Sequence, residues 1–309
     1  MEKKILMAVD NSSHSNRSLR YATQMLSGTK AVTFTLFHGQ PMISQYLLDE
    51  ARTDPKANAS LKKVIKKNAA EAHLLLEKKK ERMIAMGVPG ERIETVAQQR
   101  MIGLSKDILE YAHRGIFDAI VVGRRGLSRI QKTFMGSTSA GILENADVIP
   151  VWMVDGNVTS QRVMVAVDGS ESSYRALDHV GFMLSENPEI KVSLFHVSPD
   201  AEDIDAISLA KDDPDIQNIV AKGSERLMGK FFADAAQQLK DAGIAADRVE
   251  IVTTRRKAKV GRMILAEAKK GNYGTVVVGR RGADQSHFFG SVSRYVTERI
   301  TDRALWLVS

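Results

Sequence analysis

At 309 residues, 43% hydrophobic and 26% charged, the chain has room for two globular domains of ordinary size. It contains no cysteine, which excludes disulfide staples, thiol nucleophiles and thiolate-bound metals. The formal net charge of +7 favours an anionic ligand or partner. No apolar run reaches membrane-spanning length, and no zinc finger, RNA-binding signature or basic–aromatic interleaving accompanies the charge. Neither a membrane nor a nucleic acid is therefore an expected partner. Met1-Glu2-Lys3-Lys4 leads straight into a strand-like run, so no secretory signal is expected and the cytoplasm is the expected location.

In chain order, Ile5–Val9 reads as a buried strand that ends on Asp10. Asn11-Ser12-Ser13 then opens a helix whose body, Arg17–Leu26, keeps Leu19, Ala22, Met25 and Leu26 on one face. Val32–Phe37 is a second strand. A loop through Pro41 and Pro55 leads to a long helix from about Ser60 to Met86, stopped by Gly87 and Pro89-Gly90. Its lysines, among them Lys62, Lys63, Lys66, Lys67 and Lys78 to Lys80, carry much of the positive excess and read as a solvated face. Ile93–Val96 is a third strand. Ser105–His113 is a helix with Gly115 at its C-cap, and Ala119–Val122 and Val151–Val154 are the last strands of this half.

The chain is then written a second time. Lys4-Ile5-Leu6-Met7-Ala8-Val9-Asp10 returns as Arg162-Val163-Met164-Val165-Ala166-Val167-Asp168, and Thr35-Leu36-Phe37-His38 as Ser193-Leu194-Phe195-His196. Val121-Val122-Gly123-Arg124-Arg125-Gly126 returns as Val277-Val278-Gly279-Arg280-Arg281-Gly282. Pro150-Val151-Trp152-Met153-Val154 matches Ala304-Leu305-Trp306-Leu307-Val308. The expected domains are 1–156 and 161–309, joined by a short polar linker. Strand–helix alternation with apolar strands predicts a parallel sheet covered on both faces in each half.

In such sheets a ligand sits at the carboxyl ends of the strands, where strand order reverses. Asp10 and Asp168 close the first strands, and Gly123 and Gly279 close the fourth. In the first half two residues separate Gly123 from Gly126, nine more precede Gly136, and Ser137-Thr138-Ser139 opens a helix. Glycines let backbone N–H groups approach an anion, and a hydroxyl-rich helix N-terminus favours negative charge. The same residues are also ordinary turn and cap chemistry, and no Walker lysine is present.

These features together resemble the universal stress protein family: a strand ending Ala-Val-Asp, then Gly-x-x-Gly, nine residues and Gly-Ser, then a final Pro-Val-Trp-Met-Val strand. The resemblance covers nearly the whole chain as two tandem domains. It implies an α/β fold of two Rossmann-like domains, each a five-stranded parallel sheet with helices on both faces, and an adenine nucleotide, ATP or AMP, as ligand. A homodimer formed through the last strand and a regulatory protein partner are implied as well. By the resemblance, Asp10 would contact ribose or adenine, and Val122 and Gly123 would flank the ribose. Gly126, Gly136, Ser137 and Thr138 would bind phosphates through N–H and hydroxyl groups, with Arg125 neutralising charge and magnesium possible beside ATP. Gly39 stands where the family has an apolar residue against the adenine, a departure expected to weaken base packing.

The second half offers Asp168, Val197, Gly279, Gly282, Gly290 and Ser291 at the corresponding places. Only seven residues separate Gly282 from Gly290, so its loop is two residues shorter and its site is expected to be altered. The seven histidines are scattered. His38 and His196 recur in register and are read as structural, and His287 has no first-half counterpart. No nucleophile, base or metal set is assembled, so dedicated catalysis is not expected, although slow ATP hydrolysis remains open. The functional expectation is a nucleotide-binding stress-response or regulatory protein. Its alternative is a non-catalytic dimerisation or interaction scaffold with degenerate nucleotide sites.

Overall fold

The computed structural model describes residues 1–124, 135–198, 214–280 and 290–309. Arg125, Gly126, Gly282 and His287, all named above, lie outside the described residues. Contacts gather the chain into two units, Met1–Thr23 with Ala31–Met153, and Gln24–Lys30 with Val154–Ser309.

The first unit holds β1 (Lys3–Ala8), α1 (Ser13–Met25), β2 (Val32–Gln40), α2 (Gln45–Glu50), α3 (Pro55–Ala85), β3 (Ile93–Gln99), α4 (Leu104–Gly115), β4 (Ala119–Gly123), α5 (Ser137–Asn145) and β5 (Val151–Val154). Its strand order is β3-β2-β1-β4-β5. The pairs β1–β2, β1–β4 and β2–β3 are parallel, with Met7 opposite Leu36 on one side and Val121 on the other. Ile5, Leu6, Ile120 and Val121 are fully buried, as central parallel strands require.

The second unit repeats this plan with β6 (Arg162–Ala166), α6 (Glu171–Leu184), β7 (Lys191–Ser198), α7 (Pro214–Asp241), β8 (Val249–Arg255), α8 (Val260–Lys270), β9 (Thr275–Gly279), α9 (Ser291–Arg299) and β10 (Ala304–Val308). Its order is β8-β7-β6-β9-β10, again parallel throughout. The expected α/β architecture of two five-stranded parallel sheets is therefore present. Each last strand buries a tryptophan completely, and α1 or α6 sets an aromatic ring edge-on to it. Tyr21 meets Trp152 at 6.4 Å between centroids, and His179 meets Trp306 at 5.4 Å.

Local chemistry moved several boundaries. The long helix starts at Pro55 rather than near Ser60, because Asp54 accepts the Lys56 N–H at 2.9 Å and proline suits the first helical position. The helix α2 was not anticipated at all. Gly115 is the last residue of α4 and not its left-handed cap; that conformation belongs to Ile116, φ 52°. Gly115 is needed instead because a Cβ there would collide with the Phe117 ring. Gly271 stands in the same relation to Tyr273, with Asn272 at φ 50°.

Candidate functional site

Strand order in the first unit reverses between β1 and β4. A cavity of about 380 Å³ opens at the carboxyl ends of these strands. Its lining includes Asp10, Val122, Gly123, Gly136, Ser137 and Thr138, which is every described residue expected to hold ligand in this half.

Asp10 is separated from the end of β1 by Val9, and its Oδ1 accepts both the Ser12 N–H at 2.9 Å and the Ser12 hydroxyl at 2.5 Å. Ser12 Oγ in turn accepts the Ser15 N–H at 3.1 Å, and Ser15 Oγ accepts the Asp10 N–H at 3.3 Å. This closed cycle explains why α1 begins at Ser13, six residues before Leu19, the first residue of its apolar face. The carboxylate is thus both a turn residue, through Oδ1, and a cavity residue. In the second unit Asp168 Oδ1 accepts the Ser170 N–H at 3.0 Å and the Ser173 hydroxyl at 2.8 Å.

At the other rim, Gly136 caps α5 in extended conformation, φ −63°. Its N–H donates to Arg124 O at 2.9 Å. This corrects one detail, because the Gly136 N–H expected to meet a phosphate already has an acceptor. The N–H groups of Ser137, Thr138 and Ser139 begin the helix and have no intrahelical acceptor. Ser139 is buried and its hydroxyl donates to Gly123 O at 2.7 Å, tying the helix start to the strand end. Gly123 also has a packing reason to be glycine: a Cβ would sit 3.0 Å from His14 Cβ and 3.1 Å from His14 C.

Sequence reasoning missed the third wall. Arg100, Leu104 and Ile108, from the β3–α4 connection and α4, line the cavity beside His38 and Gly39. A Cβ on Gly39 would collide with Leu104 Cδ1, so the leucine fills the place of the missing side chain. His38 Nδ1 lies 2.9 Å from Val9 O, and His196 Nδ1 lies 3.0 Å from Val167 O. A carbonyl only accepts, so Nδ1 carries the proton in both rings. The in-register histidines therefore lock β2 to β1 and β7 to β6.

Lys79, expected on the solvated face of the long helix, is instead buried on α3 and donates to Asn16 Oδ1 at 2.6 Å. Burial pushes its pKa below the usual lysine value, while the charge of Asp10 opposes that shift. The repeat places Ala235 where Lys79 stands.

In the second unit Asp168 follows β6 and Gly279 ends the adjacent β9, with Ala166 opposite Val278 in the register. Val197 lies near the end of β7. Gly290 caps α9, whose first residue is Ser291, and its N–H donates to Arg280 O at 3.0 Å.

Fold and crevice together define a tandem α/β protein with a cavity of mixed polar and apolar lining at the switch point of its first sheet. The sequence profile described as "Universal stress protein family" matches residues 1–155 and again 159–301, and the chain belongs to that family. A universal stress protein from Archaeoglobus fulgidus DSM 4304 aligns over 99% of this chain and 98% of its own, with TM-score 0.65 and 19% identity. A functionally unknown protein from Pseudomonas aeruginosa PAO1 aligns over 99% and 92%, with TM-score 0.57 and 11% identity. A putative universal stress protein from Pseudomonas aeruginosa UCBPP-PA14 aligns over 99% and 93%, with TM-score 0.56 and 14% identity. These likenesses are of fold. Comparison with curated proteins found no match. Among the described residues no helix is long and apolar enough to cross a membrane.

Proposed function

We propose that the first unit binds an adenine nucleotide, ATP or AMP, and that the protein acts as a nucleotide-dependent regulatory module of the stress response. The observation that carries this reading is the convergence of Asp10, Val122, Gly123, Gly136, Ser137 and Thr138 on one cavity at the switch point. The first-turn N–H groups and hydroxyls of α5 suit phosphate oxygens. The Asp10 carboxylate, held by its turn, suits a ribose hydroxyl or a base amine. The same reading assigns Arg125 and Gly126 to the phosphate loop. It assigns Asp168, Val197, Gly279, Gly282, Gly290 and Ser291 to a second, altered site.

Asp10 is the one carboxylate among the described lining residues, and no group of three potential metal ligands occurs among the described residues. A magnesium ion would therefore be carried on the phosphate oxygens, beside Asp10. The role is binding rather than turnover, with occupancy changing the affinity for a second copy of the chain or for a regulatory protein partner. The domains proposed for this role are 1–156 and 161–309.

The test is mass spectrometry of nucleotide released from the purified, denatured protein, beside a Thr138→Glu variant. A carboxylate in the first turn suits the helix dipole but repels phosphate. Gly123 is a poorer target because His14 packs against it. Release of ATP or AMP from the native protein and its loss from the variant is the expected result. No released nucleotide, followed by no binding at millimolar ATP, sinks the reading.

A further inference from the structure

The cavity of the first unit has two chemically different ends. At β4 and α5 it presents hydroxyls and first-turn N–H groups. At the end of β2 it is walled by Leu104 and Ile108, with Gly39 between strand and helix. Strands β2 and β4 flank β1, so these ends lie about 10 Å apart. That separation suits the base and the phosphates of one nucleotide.

Comparison of the two units shows what has been exchanged at the apolar end. The second unit has Val197 and Val260 where the first has Gly39 and Leu104. Bulk has moved from the strand to the start of the helix, and the Gly39–Leu104 contact shows that it fills the same space. Arg100, which the repeat matches with Arg256, lies beside this contact, with its Cγ and Nε 3.6 Å from the place a Gly39 Cβ would occupy. The Arg100 Nε is buried and has no hydrogen-bond partner among the described residues. A buried N–H without an acceptor is costly, and a ligand atom that accepts from it removes that cost. Beside it, His38 spends its Nδ1 proton on Val9 O, which leaves Nε2 as an acceptor.

We infer that Arg100 and Leu104 form a base clamp in the first unit: Leu104, whose counterpart in the second unit is Val260, packs on the ring face, and Arg100 donates to a ring-edge acceptor while His38 Nε2 accepts from an exocyclic amine. This rests on the nucleotide reading above. The donor–acceptor pair matches adenine, which offers N7 and the N6 amine on one edge. It does not match guanine, which offers two acceptors there. Arg100 is thus a specificity-determining residue for the base, not a phosphate anchor.

The experiment titrates the full chain, as wild type and Arg100→Met, with ATP and GTP, and with inorganic tripolyphosphate as competitor. Loss of one charge-assisted hydrogen bond predicts about tenfold weaker ATP binding. Tripolyphosphate competition stays unchanged and the preference for ATP over GTP shrinks. Leu104→Ala weakens ATP without affecting tripolyphosphate, and circular dichroism confirms that both variants fold. Equal loss of ATP and tripolyphosphate in Arg100→Met makes Arg100 a phosphate residue and overturns the clamp, as does ATP binding as tight as wild type. Wild type that binds neither ATP nor tripolyphosphate overturns the nucleotide reading and the clamp together.

Discussion

The Gly136 N–H donates to the Arg124 carbonyl at 2.9 Å, and Gly290 makes the same bond to Arg280 at 3.0 Å. Each bond closes a loop between the fourth strand of its unit and the following helix. Eleven residues, 125–135, lie inside the first closure and nine, 281–289, inside the second. The two-residue difference therefore leaves the anchors alone. We predict that replacing 125–135 by 281–289 leaves the fold intact. The loop-closure term changes by only about 0.2 kcal/mol. ATP affinity falls, because the exchanged residues are those assigned to phosphate. Calorimetric melting and ATP titration of the chimera check both halves; a collapsed melting transition would show that the closure bond does not set the loop ends.

The Gly39–Leu104 contact gives a second prediction. Gly39→Val alone drives a branched side chain into Leu104 and destabilises the first unit by about 1–3 kcal/mol, the usual cost of overpacking. Adding Leu104→Val recreates the Val197–Val260 pairing and recovers most of that loss. Urea midpoints of the single and double variants decide it. A double variant no more stable than Gly39→Val removes the compensation argument.

Asp10 gives a third. Asn at this position keeps an Oδ1 that accepts from Ser12, so the entry turn to α1 survives. Ala removes both bonds and is expected to cost about 1–2 kcal/mol, as loss of a helix-entry partner does. Nucleotide binding should weaken in both variants, since both lose the carboxylate. If Asp10→Asn binds ATP as tightly as wild type, the carboxylate serves the turn alone.

Why some of this was legible in the sequence is visible in the residues themselves. Asp10, Gly123 and the Gly136–Ser139 helix start belong to short contiguous patterns that the chain repeats, so their elements could be placed from spacing alone. Arg100 and Leu104 carry no pattern. They reach the cavity because β3 lies beyond β2 in the sheet and α4 starts from its end, a relation that only strand order reveals. The available signal is the exchange of Gly39 and Leu104 for Val197 and Val260: Gly39 alone implies lost base packing, and Leu104 fills the vacated space. Gly115 was misread for a similar reason: its glycine serves the Phe117 ring, a tertiary contact, rather than the backbone conformation that glycine usually signals.

His179 yields the last prediction. Burial beside Trp306 pulls its pKa down to about 3. In the unfolded chain the ring titrates near about 6.5. Below that pH the unfolded state takes up a proton that the folded state refuses. The stability tied to a neutral His179 is therefore complete above about pH 6.5 and is lost progressively as pH falls toward 3. At pH 5 the loss should reach about 2 kcal/mol. The first unit has Tyr21 at the matching position, set against Trp152 in the same edge-on manner and with no charge to acquire at acid pH. His179→Tyr should therefore flatten the stability of the second unit between pH 7 and pH 5. In a Trp152→Phe background the remaining Trp306 reports that unit alone, since the chain has two tryptophans. Urea titrations at both pH values that show the same acid loss in parent and variant would remove His179 as its source.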